Sequence, residues 1–283
     1  MVNSTSPYRV IAEDELPALK TFLDEVVCQV EVPTYIEDDP IAFMHAYEGK
    51  QDREIAGFFA ALMAWGRRDI VMAKVEQLLT RMEHRPAELI LNYSDADSRR
   101  FTGFVHRTWN GFDIDLLCRT LHRIYHNFGD FEGFWQHLYQ QASQENVPFM
   151  RLFHTRFFEV IGEAPGRTRR HIGDGLKNSS CKRLWLYLRW SIRSSSCVDL
   201  GIMHFIPPSE LMIPLDVHVA RYARKLGLLE RTYNDWQAVE ELTTVLKKLD
   251  PQDPAKYDYA LFGLGVRQLG VPDEFILNPL VEP

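Results

Sequence analysis

Apolar residues recur along the chain at three- and four-residue spacing, the period of a helix with one buried face. The pattern covers 14–30 (DELPALKTFLDEVVCQV), 52–66 (DREIAGFFAALMAWG), 69–82, 112–128, 131–142 and 147–162. It resumes at 235–249 (DWQAVEELTTVLKKL) and 253–266 (DPAKYDYALFGLGV), each opened by an aspartate, a favoured N-cap. Convincing alternating strands are absent. The expected fold class is all-α, with about a dozen helices and short loops.

One stretch breaks the pattern. Residues 162–180 (GEAPGRTRRHIGDGLKNSS) are rich in Gly, Pro and Ser and lie between strongly apolar helices. They read either as a linker or as a functional loop.

Composition narrows the function classes. The 283 residues are 46% hydrophobic and 25% charged, ordinary for a globular chain. With 39 acidic and 32 Lys or Arg residues the net charge is -7, so any polyanion site must be a local patch. Cys28, Cys118, Cys181 and Cys197 are scattered with no Cys-x-x-Cys, which gives no zinc or iron–sulfur signature. No signal peptide is expected at the N-terminus, and the longest apolar run, 56–66, is too short to span a bilayer. The expectation is a cytoplasmic protein without a membrane partner, a cofactor or a metal.

The charge is unevenly placed. Between 167 and 193 stand Arg167, Arg169, Arg170, Lys177, Lys182, Arg183, Arg189 and Arg193 against one acid, Asp174, interleaved with Trp185, Tyr187 and Trp190. The cluster reads either as a solvated helix face with its aromatics in the core, or as a phosphate-binding surface. Within it, GDGLKNSSCKRLWLYLRW has the form of a glycine-bearing turn, a Ser cap and a helix start. That arrangement aims backbone N–H groups and the positive helix end at an anion. Lys177, Ser179, Ser180, Arg183 and Arg189 are the candidate DNA contacts.

A second stretch, 212–229 (MIPLDVHVARYARKLGLL), sets Asp216 where a helix would begin. Val217, Ala220 and Leu226 can face the core while Arg221, Arg224 and Lys225 face out. Asp216 reads first as an N-cap. Capping is compatible with catalysis, since an acid at a helix start can also face a developing cation.

These residues carry a resemblance. CKRLWLYLRW with Arg193, VDLG at 198–201, PLDVHVARYARKLGLL and DPAKYDYALFGLGV together resemble an uncharacterised, DUF2400-like bacterial family over most of the chain. Over about 150–230 the chain is similar to the helix-hairpin-helix DNA glycosylase superfamily. That likeness implies one two-lobed helical domain over 1–283, with the hairpin and the catalytic aspartate in 150–230 and a second lobe in 52–150. It implies a DNA repair enzyme that binds lesion-containing duplex and cleaves an N-glycosidic bond. Asp216 falls on the family aspartate, and Lys182 on the lysine that attacks the deoxyribose in bifunctional members. His218 and Arg221 would add DNA contacts. Trp65 would stack on an extruded base, and Arg67 or Arg68 would fill the vacated stack or hold a phosphate. Bland alternatives stand beside these roles: Trp65 as core, Lys182 as a phosphate contact or a solvated lysine. The chain departs from the superfamily in its hairpin, IGDGLKNSS in place of a Leu-Pro-Gly-Val-Gly core, and in lacking the iron–sulfur cysteines.

Weaker signals remain. His122 and His126 share a helix face at metal-binding spacing but lack an obvious third ligand, which favours satisfied helix histidines. FGLGVRQLG has glycines but no preceding strand, so a dinucleotide loop fails on context. The rival of the enzyme reading is a non-catalytic nucleic-acid-binding protein with the same fold.

Overall fold

A computed structural model describes residues 7–279. Its helices, in chain order, are α1 (Leu16–Val30), α2 (Ala42–His45), α3 (Lys50–Met63), α4 (Arg68–Arg81), α5 (Pro86–Leu91) and α6 (Gly111–Phe128). Then come α7 (Phe131–Glu145), α8 (Phe149–Glu159), α9 (Gly166–Arg169), α10 (Lys182–Ile192) and α11 (Val217–Lys225). The last two are α12 (Trp236–Leu249) and α13 (Tyr257–Val266). The protein is all-α except for one feature the sequence did not show, a hairpin of β1 (Val105–His106) and β2 (Trp109–Asn110) paired antiparallel. Two-residue strands are too short to display an alternation. The ends of the expected 1–283 span, 1–6 and 280–283, lie outside the described residues.

The buried side chains form one continuous core from Leu19 to Leu264. One part is aromatic: Phe58 of α3 meets Phe131, Phe157 and Tyr187 with ring centroids 4.9, 5.7 and 5.7 Å away. Against this frame α10 packs on α3, while α13 packs on both α1 and α11. The glycines of FGLGV permit the second arrangement. A Cβ on Gly263 would sit 2.5 Å from Val30 Cγ2 of α1, and one on Gly265 would sit 2.9 Å from His218 Cβ of α11. They are close-approach residues, not a phosphate loop.

Several expected local details differ. Asp235 does cap α12 through Ala238 N–H, but Asp253 does not cap α13, whose N-cap is Lys256. Asp253 instead accepts from Arg193 Nε at 2.9 Å. Residues 162–180 contain the single turn α9 and a 3-10 turn at Gly175–Lys177. No serine caps α10. Cys181 holds the N-cap position in a left-handed conformation (φ 52°), and the Ser179 hydroxyl accepts its N–H at 3.2 Å. Val217, expected in the core, is 64% exposed. No helix among the described residues is long and apolar enough to cross a membrane.

Candidate active site

Five chain segments meet around a cleft of about 470 Å³: the 3-10 turn at Pro33–Asp38 with Asp39, the α3–α4 corner, the first turns of α10, the start of α11 and one face of α13. Six of the twelve residues singled out from the sequence line it: Trp65, Arg68, Lys182, Arg183, Asp216 and His218.

Asp216 is the N-cap of α11, with Oδ1 accepting from Val219 N–H at 2.8 Å. Its Oδ2 takes no hydrogen bond from the described residues, so capping uses only half of the carboxylate. Lys182 is the first residue of α10, and among the described residues its ammonium has no acceptor and no ion-pair partner. Trp65 is half-buried, with the Arg107 guanidinium 4.6 Å from its ring centroid. Arg68 lies 3.6 Å from Asp39 and 5.8 Å from the Phe262 centroid. His218 packs edge-on to Phe262 at 6.0 Å.

The other six residues lie outside the cleft. Arg189 is the clearest correction. It is 1% exposed, bonded to Asp258, 3.5 Å from Asp199, and stacked 4.0 Å above the Tyr259 ring, where no DNA can reach it. Arg67 is exposed and paired to Asp69 at 2.6 Å, and does not line the pocket although Gly66 and Arg68 on either side of it do. Ser179 uses its hydroxyl within the turn. Lys177 is exposed beside Asp174 at 3.4 Å, while Ser180 and Arg221 are half-buried. Arg183 borders the cleft, but its donors are directed elsewhere. It bonds Leu62 O at 2.5 Å and His171 O at 2.8 Å, stitching the end of α3 to the segment before α10. Burial pushes its guanidinium down to about 10, and it is still charged at neutral pH.

Two acids in the cleft were not anticipated, Asp39 and Asp258. Burial raises both carboxyls. For Asp258 burial outweighs the attraction of Arg189, and with repulsion from Asp216, Asp199 and Asp39 it lifts the group to about 7. Asp258 belongs to DPAKYDYALFGLGV, so the motif was visible although its acid was not picked out. Asp39 sits in EDDP with no distinguishing mark. The cleft thus sets a half-capped carboxylate, a carboxyl that titrates near neutrality and an unpaired lysine around one cavity rimmed by Trp65 and Phe262. Such a constellation can stabilise a developing positive charge and supply a nucleophile.

His122 and His126 are turned to backbone carbonyls, Nδ1 of the first 2.8 Å from Ile90 O and Nε2 of the second 3.2 Å from Leu91 O. Among the described residues no group of three or more His, Cys, Asp or Glu could hold a metal ion.

Fold and cleft define an all-α protein with a mixed-charge, aromatic-rimmed site. The family described as "Protein of unknown function (DUF2400)" matches residues 39–267, and the chain belongs to it. No curated protein and no solved structure matches the chain. The family match takes in every cleft residue except Tyr35.

Proposed function

We propose that the protein is a DNA repair enzyme of the helix-hairpin-helix glycosylase type, with the cleft receiving a damaged base extruded from duplex DNA. The observation that carries this reading is the shared placement of Lys182, Asp216 and Trp65 around one cavity. Lys182 falls on the lysine the resemblance implies and Asp216 on its aspartate, and the starts of α10 and α11 both border the cavity. A cavity of about 470 Å³ is of the size that takes a small organic ligand, and an aromatic rim gives a flipped base a face to stack on.

In the mechanism, Asp216 faces the sugar as positive charge develops on it. The amine of Lys182 adds to C1′ as the C1′–N bond to the base breaks, and the base leaves with that electron pair and takes up a proton. Loss of the amine proton and opening of the sugar ring give an imine between Lys182 and the deoxyribose.

Borohydride reduction of that imine on duplexes carrying an abasic site or 8-oxoguanine tests the assignment. The wild type is expected to form a covalent adduct, and Lys182→Gln to form none. Adduct formation undiminished in both Lys182→Gln and Asp216→Asn would remove these residues from the chemistry. Duplex binding with neither adduct nor base release across a lesion panel would leave a nucleic-acid-binding protein in place of an enzyme.

A further inference from the structure

A second cavity, of about 500 Å³, opens beside the first and is lined by Arg107, Arg167, Arg170, Asn110, Trp109 and His171 among others. Its wall is built from paired and stacked groups. Trp109 stacks on His171 with centroids 4.0 Å apart. The buried Asp113 accepts from Arg167 at 2.8 Å and from Thr168 at 2.8 Å, and lies 3.3 Å from His171. Arg167 also donates to Thr108 O at 2.6 Å, so it ties α9 to the hairpin turn. Asp113 therefore offsets the charge of Arg167 alone. Arg107 and Arg170 have no acidic partner among the described residues, and Arg170 bonds only to Gly166 O at 3.3 Å.

Arg107 joins the two cavities. It stands at the tip of the β1–β2 hairpin with φ 54°, a left-handed conformation that is unfavourable for a side chain of this size. From there its guanidinium lies over Trp65, which lines the first cleft. The corner makes room for it. Gly66 has φ 99°, and a Cβ there would lie 1.9 Å from Arg107 Nη2. A strained arginine, a glycine that clears its path and an acid-balanced wall behind it together form a built cationic seat.

We infer that this second cavity binds the phosphodiester backbone of the strand whose nucleotide enters the cleft, with Arg107 and Arg170 each holding one phosphate. Arginine's planar fork suits phosphate oxygens, and the path from cation to Trp65 to cleft matches a strand's alternation of phosphate and base. This placement rests on the reading of the cleft as a nucleotide site. It moves the phosphate surface away from Lys177, Ser179 and Arg189 to Arg170, at the start of the basic run, and Arg107 on a hairpin outside it.

The test is titration of the full chain with a labelled duplex bearing one abasic site, followed by anisotropy at several salt concentrations. Arg107→Gln/Arg170→Gln is expected to bind roughly thirtyfold more weakly near physiological salt. The slope of log K against log salt should fall by about two. Lys247→Gln, which removes an exposed charge on α12, should change neither. Neutral methylphosphonates flanking the abasic site should weaken the wild type and have no further effect on the double variant. Wild-type affinity and slope in a folded double variant would overturn the inference, as would a wild type that binds no duplex. Adduct formation is a separate readout. A protein that binds through both arginines and never forms an adduct keeps this surface and loses the glycosylase reading. One that forms adducts with the affinity of the double variant unchanged does the reverse.

Discussion

At the N-terminal end of α10, Lys182 borders the cleft with no ion-pair partner among the described residues, whereas two and three turns further on Arg189 and Arg193 are sealed in the core. Arg193 bonds Asp253 at 2.9 Å, Glu31 at 2.7 Å and Asp199 in addition. Tyr259 donates to the same Asp199 at 2.7 Å. One basic helix thus serves two purposes. Its far end pins α1, α13 and the 198–201 segment together, and its near end presents a charge to a cavity. What separates them is the supply of counter-charge, because sealing an arginine in the core is costly unless carboxylates come with it. The comparison teaches that a run of like charge says nothing of role until its partners are located.

The sharpest way to break the contrast is at the buried end. Arg193→Met leaves Glu31, Asp199 and Asp253 around an apolar side chain, and losing one member of a buried ionic cluster costs about 3–5 kcal/mol. Urea unfolding should show a loss of that size. A change under about 1 kcal/mol would mean that the cluster is not what holds the three segments together.

That difference between the two ends also sets how much could be read from sequence. The helices were legible because their periodicity is a property of neighbouring residues, as in α1, whose buried Leu19, Leu23, Val26, Val27 and Val30 fall three and four apart. Asp216 as a cap was legible for the same local reason. The fate of Arg189 and Arg193 was not, since their acids stand up to 162 positions away, as in the Arg193–Glu31 pair. Asp39 and Asp258 were missed likewise. Each is ordinary in its own stretch and becomes distinctive only when α13 and the turn after Pro33 bring the pair to one cavity. The Arg107 hairpin escaped because a two-residue strand leaves no pattern.

Asp258 offers a test at the boundary between the two ends, since it bonds Arg189 on one side and lines the cleft on the other. Its carboxyl lies at about 7 in the folded protein against an ordinary 3.8. Between those values the folded state holds a proton that the unfolded chain has released, so stability falls as pH rises through the window and is flat above it. Asp258→Asn removes this titration. The difference in Tm, wild type minus variant, should therefore decline from pH about 4 to 7. A level difference would place the carboxyl in the ordinary range, ionised beside Arg189.

A smaller effect separates the two jobs of Asp216. Asp216→Ala deletes the cap on Val219 N–H and should cost about 1 kcal/mol, whereas Asp216→Asn caps nearly as well and should cost a few tenths. If the carboxylate works only as a cap, Asn will support wild-type adduct formation with abasic duplex. If it faces the sugar, Asn will fold normally and lose that activity.

The smallest stability effect belongs to Lys182, and that is its diagnostic value. With no partner among the described residues and a place in the first turn of α10, its replacement by Gln should change unfolding free energy by less than about 0.5 kcal/mol. Arg193, eleven positions on, is expected to cost several times more while leaving the cleft's own groups in place. A Lys182→Gln protein that melts like the wild type and forms no borohydride adduct would assign the near end of α10 to chemistry. One that melts markedly lower would show that the lysine has a structural contact after all, and that both ends of the helix do the same work.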